Sequence, residues 1–370
     1  MPELDNKQQS SQPECCCGPE NYEIKRFRPL KFAGTIATKA GGIDIVTGLW
    51  EFGDYFGAVM VRLGFLRMDY AIKPGLYAVG KPNENSPVFV SANYKLSFDI
   101  LRRDLAGIDG WILVLDTKGV NVWCAAGKGT FGTKEIVSRI IATELTDVVS
   151  HKDLIVPQLG GPGVSAFKVM LFSGFKVIYG PVRSADIKKF IEKGMKADSE
   201  MRKVKFCLKD RLVVSLLELV MALEKVLPIA AGLILIYSYS ILFGGFSLKD
   251  GIERAIFPIT ALFLAVISGT VLTAGLLPYL PGKAFSVKGG FLGLITAVTV
   301  VIFLNGPLLS FRNFSFVLFV SAASAYLALN FTGASTFTSL SGTKKEVKLS
   351  VPVIAGVLIV SIATFLGKGL

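Results

Sequence analysis

Charge is scarce in this chain. Of its 370 residues, 18% are Asp, Glu, Lys or Arg, against roughly 25% in an ordinary soluble domain, and the mean hydropathy is +0.54. A uniformly soluble globule is excluded by that deficit. A disordered chain is excluded too, because 51% of the residues are hydrophobic. Cysteine is sparse and poorly arranged for cross-linking: of five, Cys15, Cys16 and Cys17 are contiguous, while Cys124 and Cys207 stand apart. An odd, clustered set is no disulfide framework. The N-terminal residues Asp5-Asn6-Lys7-Gln8-Gln9 form no apolar run, which argues against a cleavable signal peptide. A reducing cytosol is the compartment that fits.

The charge that is present is unevenly spread. Residues 1–210 hold 29 Lys/Arg and 23 Asp/Glu, whereas residues 211–370 hold 11 and 5. The first part reads as soluble and the second as membrane. The net charge of +12 does not call for nucleic acid, because basic residues beside membrane spans hold the cytoplasmic end in place. Uncharged stretches run over 226–248, 255–282, 289–311, 313–343 and 349–367. Each can supply the roughly 20 apolar residues of a spanning helix. The spans expected are about 227–244, 256–277, 289–306, 315–332 and 351–367.

Residues 211–225 are apolar but contain Glu218 and Glu224, and read as an amphipathic juxtamembrane helix. Arg202, Lys203, Lys205, Lys209 and Arg211 precede the first span, and Lys283, Lys288, Lys344, Lys345 and Lys348 fall in loops on the same side. That bias predicts a cytoplasmic (inner) membrane protein with its N-terminal domain in the cytoplasm. No expected span contains a charge, which disfavours a proton- or ion-coupled transporter. The Ser/Thr/Gly run 331–343 reads either as a hydroxyl-rich loop or as a docking loop facing the soluble domain.

Residues 87–194 alternate between strand and helix patterns. Strands are expected over 87–91, 111–116, 154–157 and 175–179, with helices over 94–105, 134–143, 164–172 and 185–193. Such alternation gives βαβ units on a largely parallel sheet, and these folds bind ligands outside the C-terminal ends of their strands. Asn93, the run after Asp116, the run after Pro157 and Gly180 lie there.

The run from Asp116 to Gly132 admits three readings. A phosphate loop fails, because Gly127-Lys128 is followed by Gly129 and position 122 is Val. Gly127-x-Gly129-x-x-Gly132 matches the dinucleotide fingerprint, but its strand ends eleven residues too early. The third reading centres on Cys124. Two Ala follow it, so the thiol falls in the first turn of a short helix, where thiolate is favoured. A thiolate is a soft metal ligand; a buried Cys acting as a small hydrophobe is the structural alternative.

Asn121-Val122-Trp123-Cys124-Ala125-Ala126-Gly127-Lys128 resembles the cap-helix motif of the corrinoid proteins of bacterial mercury methylation. The segments 80–97, 157–164 and 173–183 resemble the corrinoid domain of the corrinoid iron–sulfur protein large subunit, so the likeness covers roughly 45–195. The five-span tail fits the mercury family. The adjacent Cys15–Cys17 do not support a four-Cys cluster and read as a floppy tail rather than a soft-metal handle. There is no D-x-H-x-x-G motif of His-ligated cobalamin proteins, and His151 reads as a surface residue.

The resemblance implies a fold class: an α/β Rossmann-like corrinoid-binding domain followed by an all-α membrane domain of five transmembrane helices. The boundaries are a disordered Cys-containing tail (1–20), the corrinoid (cobalamin) domain (21–195), a basic linker with juxtamembrane helix (196–225) and the spans (226–370). It implies a base-off corrinoid with the Cys124 thiolate as lower axial cobalt ligand and catalytic residue. The cofactor-binding residues would be Asn93, Asn121, Val122, Trp123, Cys124, Ala125, Ala126, Gly127, Lys128, Gln158, Gly160, Gly161 and Gly180.

The implied activity is a cobalamin-dependent methyltransferase that moves methyl from methylcobalt(III) to Hg(II). Hg(II) is an electrophile, so methyl leaves with electrons, as a carbanion equivalent or a radical, and an electron-rich thiolate opposite favours that direction. The implied partners are a small ferredoxin with two 4Fe–4S clusters as low-potential donor and a methyl donor protein of the methyltetrahydrofolate pathway. The alternative is a membrane-tethered corrinoid methyl carrier for a different acceptor.

Overall fold

The structure is a computed structural model, described for residues 27–240, 245–304, 307, 310–334 and 340–366. The expected tail 1–20, with Cys15, Cys16 and Cys17, lies outside the described residues. The chain divides into two compact units at Val204/Lys205, and Arg62–Gly64 groups with the second.

The first unit is built on a seven-stranded mixed sheet. Its strands are β1 (Phe32–Thr38), β2 (Gly41–Val46), β3 (Gly75–Val79), β4 (Val88–Ala92), β5 (Gly110–Leu115), β6 (Asp153–Val156) and β7 (Lys176–Tyr179), in the order β1-β2-β3-β5-β4-β6-β7. β5, β4, β6 and β7 are mutually parallel, β3 runs antiparallel to β5, and β1 antiparallel to β2. The helices are α1 (Phe52–Arg62), α2 (Lys95–Asp104), α3 (Val122–Lys128), α4 (Thr133–Ala142), α5 (Leu145–Val148), α6 (Ala166–Ser173) and α7 (Ile187–Glu192).

β4 and β5 are buried along their whole length, because helices cover both faces of the sheet. Alternate residues therefore serve different cores. Val88, Val90, Leu113 and Leu115 pack with Ala125, Phe131, Ile136 and Val169 from α3, α4, α6 and the loop after α3. Phe89, Ile112 and Val114 pack with Phe98 and Leu101 of α2, Leu105 at its C-cap and Phe190 of α7. The strand order reverses at β4, which has β5 on one side and β6 on the other. The loops after β4 and β6 thus flank the point where open α/β sheets form a ligand crevice.

The second unit has five helices long and apolar enough to cross a membrane: Leu208–Ser238, Leu248–Leu276, Phe285–Phe303, Phe311–Leu329 and Gly342–Phe365. We label α8 (Leu208–Ser238), α9 (Leu248–Val266), α10 (Thr273–Leu276), α11 (Phe285–Phe303), α12 (Phe311–Leu329), α13 (Phe331–Ala334) and α14 (Leu340–Leu366); a π-helical turn, Ile267–Leu272, joins α9 to α10. Helices approach closely at glycine. A Cβ on Gly293 of α11 would lie 2.8 Å from the Ser324 side chain and the Val320 carbonyl of α12, the small-residue contact that holds helices together in lipid.

The expected juxtamembrane helix runs on into the first span, and one expectation changes here. The juxtamembrane helix and first span are one unbroken helix, α8, which buries Arg211, Ser215, Glu218, Ala222 and Val226 while exposing Leu212, Leu216 and Leu227. Arg211, Ser215 and Glu218 thus point inward, the arrangement intramembrane charges adopt, while Glu224 and Lys225 stay exposed. Arg211 Nη1 donates to the carbonyls of Ala274 (3.3 Å) and Gly275 (3.0 Å), capping the end of α10. The Ser/Thr/Gly run is not simply a loop, since Phe331–Ala334 and the chain from Leu340 are helical; residues 335–339 lie outside the described set.

Candidate functional site at the C-terminal edge of the sheet

The short helix α3 follows β5 through the loop 116–121. Asn121 is its N-cap: with extended backbone, its Oδ1 accepts the Cys124 N–H at 3.0 Å, satisfying one of the orphan donors of the first turn. The same amide turns its Nδ2 toward the Cys124 Sγ, 3.5 Å away. One side chain therefore fixes the helix start and offers a donor to sulfur. The helix stops after seven residues at Gly129, whose φ of 80° is left-handed and whose N–H donates to the Ala126 carbonyl. Ala125 and Ala126 point into the core, Val122 packs against it, and Trp123 and Gly127 face outward with Trp123 42% exposed. Cys124 and Lys128 are half-buried.

The loop carrying α3 is held from β4. Asn93 is fully buried, and its Oδ1 accepts from the Thr117 N–H (3.1 Å), the Thr117 hydroxyl (2.9 Å) and the Gly119 N–H (3.0 Å). Its Nδ2 donates to Asp116 Oδ1 at 3.3 Å. Asn93, expected as a cofactor contact, is thus engaged by the loop 116–119. Its strand-end position was legible; the loop's need for three acceptor positions was not.

Across the crevice, α3 packs against the 3-10 turn Gln158–Gly163 after β6. The glycines there differ in role. A Cβ on Gly160 would run into the buried Phe131 ring, and one on Gly163 into the Phe131 carbonyl, whereas Gly161 has only Tyr179, at 3.7 Å. Gly160 is therefore a packing glycine, and Gly161 is the one that leaves room. Gly180 is buried, 3.1 Å from the Ile155 side chain by the same measure. Gln158 Oε1 accepts from Arg202 at 2.7 Å. Of the expected site residues, Asn121 and Cys124 touch one another, and Trp123, Gly127 and Gly161 retain open or half-open surroundings. Ala125, Ala126, Gly160 and Gly180 are buried for packing.

Among the described residues, no group of three or more His, Cys, Asp or Glu side chains could hold a metal ion. Cys124 offers one sulfur donor at this edge of the sheet. His151 is no candidate: its Nε2 lies 2.9 Å from the Ser86 carbonyl and its Nδ1 accepts the Asp153 N–H at 3.1 Å.

Sequence reasoning missed a buried ionic cluster between α1 and α2. Asp54 meets Lys95 Nζ and Arg102 Nη2, each at 2.7 Å, and Asp99 meets Lys95 at 2.6 Å and Arg102 Nε at 2.9 Å. Burial would raise the Asp54 carboxyl, but hydrogen bonds from Lys95, the Glu51 backbone and Arg102 outweigh it and hold it at about 2. The cluster forms one wall of a 480 Å³ pocket also lined by Arg28, Pro29, Phe56 and Tyr70. The spacing Lys95-Asp99-Arg102 puts all three on one helical face, a signal that was present in the sequence.

Fold and site define the class: a mixed α/β domain with a cysteine in the capped first turn of a short helix at the C-terminal edge of its sheet, followed by a helical region with five candidate spans. Residues 67–191 match the family described as CdhD, CO dehydrogenase/acetyl-CoA synthase delta subunit. The chain is similar to the acetyl-CoA decarbonylase/synthase complex subunit gamma of Archaeoglobus fulgidus, 33% identical over 129 residues, 34% of this chain and 27% of that protein. It resembles the Methanopyrus kandleri subunit gamma at 36% over 124 residues, 33% of this chain and 26% of the relative. The Methanothermobacter thermautotrophicus subunit gamma is 28% identical over 174 residues, 45% and 37% of the two chains. The chain spans between 26% and 37% of the length of these curated relatives.

Proposed function

We propose that this chain is a membrane-anchored, corrinoid-dependent methyltransferase that converts Hg(II) to methylmercury, with Cys124 as the lower axial cobalt ligand. The observation that carries the reading is the Cys124 thiol, half-buried at the sheet edge, with its own N–H and its sulfur both engaged by Asn121. A corrinoid needs from the protein only an axial donor, because the macrocycle fills the equatorial positions, and the donor set here fits that need. When bound, the group supplies a transferable methyl. Cys124 would hold the group through its sulfur, and a soft anionic donor there would suit methyl transfer to an electrophile such as Hg(II).

The chain's own residues orient and shelter. Asn121 fixes the sulfur, Trp123 and Gly127 offer an outward surface for the macrocycle, and Gly161 leaves backbone room for the nucleotide arm of a base-off cofactor. Lys128 stays either a cofactor contact or a solvated charge. Return to a methyl-accepting state requires a low-potential donor, a small ferredoxin with two 4Fe–4S clusters, and a methyl donor protein of the methyltetrahydrofolate pathway. Lys283 before α11, Lys288 in its first turn, and Lys344, Lys345 and Lys348 near the start of α14 favour a cytoplasmic position for these helix ends at an inner membrane.

A second reading, a membrane-tethered methyl carrier for another acceptor, is favoured by the names of the relatives. The test is the visible spectrum of the full chain loaded with cobalamin, followed by methyl transfer to Hg(II). Cys124→Ala is expected to lose the thiolate spectral signature and at least 100-fold in rate, the scale of removing a group that acts in the reacting state. An unchanged spectrum and rate would remove Cys124 from the site. A loaded protein that methylates a protein acceptor but not Hg(II) is a carrier.

A further inference from the structure

Helix α1 carries an apolar stripe that no described residue covers. Phe52, Tyr55, Phe56 and Val59 are 84%, 57%, 55% and 53% exposed, and their i, i+3, i+4, i+7 spacing puts them on one face. The opposite face, with Gly57, Ala58 and Val61, is buried. Leu49 before the helix and Phe65 and Leu66 after it are also exposed. Phe52 stacks on Phe56, and Trp50 meets Tyr55 edge to face.

The nearby carboxylates are neutralised, Asp54 by Lys95 and Arg102 and Glu51 by Lys31. Arg62 in the last turn, and Arg67 beyond it, rim the stripe with positive charge. The stripe itself, with Arg62, Glu51 and Asp54, lies outside the segment 67–191 that matches the family, whereas Arg67, Lys95 and Arg102 lie within it.

We propose that this face rests on a bilayer surface bearing anionic headgroups. Aromatic residues in a helical stripe with a basic rim are the composition of helices lying in the membrane interface, and the basic rim complements anionic lipid. Continuity of the chain supplies the proximity: the first unit ends at Val204, and the first candidate span begins at Leu208, so the bilayer is held at high effective concentration. The proposal rests on the reading of Leu208–Phe365 as membrane-spanning and is independent of the corrinoid.

The full chain is reconstituted in vesicles of phosphatidylethanolamine and phosphatidylglycerol that contain a lipid with a photoactivatable carbene precursor in its acyl chain. Adducts are mapped on peptides. Labelling is expected on 49–66 as well as on the spans. Phe52→Glu with Phe56→Glu should lower the 49–66 adducts about tenfold, since two buried aromatics are lost, with the span adducts and near-UV circular dichroism unchanged. Replacing phosphatidylglycerol by phosphatidylcholine should lower the 49–66 adducts as well. Span adducts with none on 49–66 overturn the proposal. So does protection of 49–66 in cross-linked dimers, which assigns the face to a second copy. No adducts on the spans overturn the membrane reading itself.

Discussion

Replacing Asn93 by Ala tests what holds the cysteine in place. Asn93 Oδ1 is the acceptor for the backbone N–H groups of Thr117 and Gly119, at 3.1 and 3.0 Å, and all three residues are buried. The Thr117 hydroxyl keeps a second acceptor, the Val120 carbonyl at 2.6 Å, so the variant orphans two backbone donors. Each buried orphan costs about 1–3 kcal/mol, and relaxation recovers part of the total, leaving an expected loss of about 3 kcal/mol in the stability of the loop. That is roughly a 100-fold increase in its opening constant.

Hydrogen–deuterium exchange on the full chain reads this directly as faster exchange across 116–124, with β7 as the internal reference. Less than a threefold change in 116–124 would refute the assignment of Asn93 as the residue that holds the loop. Asn93→Asp keeps the acceptor but sets a second carboxylate beside Asp116, and should fall between the two.

The Asp54 carboxyl sits at about 2, below its ordinary 3.8, so its contribution to stability is complete above pH 4 and is lost as the pH falls from about 4 to about 2. The shift corresponds to about 2 kcal/mol at most. Denaturant midpoints of the first unit's near-UV signal should show that loss in the native chain and lack it in Asp54→Asn; equal pH slopes would sink the coupling to Lys95 and Arg102. Gly160→Ala should cost about 1–3 kcal/mol through overpacking against Phe131, read as a lowered thermal midpoint. Gly161→Ala should leave that midpoint in place, so reduced cobalamin affinity in this variant would put the nucleotide arm beside it; unchanged affinity would move the arm elsewhere.

The strands β4 to β7 and their helices were legible because a strand buried on both faces is a continuous apolar run. Val88–Ala92 and Gly110–Leu115 lie within one residue of their expected positions. β1, β2 and α1 were not legible. β1 is exposed over Phe32–Thr35, and the apolar stripe of α1 faces outward, so hydrophobic pattern and burial part company there. Five candidate spans emerged from composition, but their ends did not. The uncharged stretch 289–311 runs past the helix end at Phe303 because a helix is stopped by backbone chemistry, such as the lack of an N–H at Pro307, and not by charge.

At the site, the sequence determined what is local. Asn121 and Cys124 stand three residues apart, so forming the first turn of a helix is enough to bring cap and thiol together. It also determined that the soluble and apolar halves would separate, since that depends on composition alone. Only the tertiary structure decided the rest, because those contacts join residues distant in the chain. Asn93 reaches Thr117 and Gly119 across 24 and 26 positions, Asp54 reaches Arg102 across 48, and the Phe131 ring packs against Gly160 but not against Gly161. Residue type alone assigns all three glycines, asparagines and carboxylates the same capacities. Which capacity is used depends on what the fold packs against them.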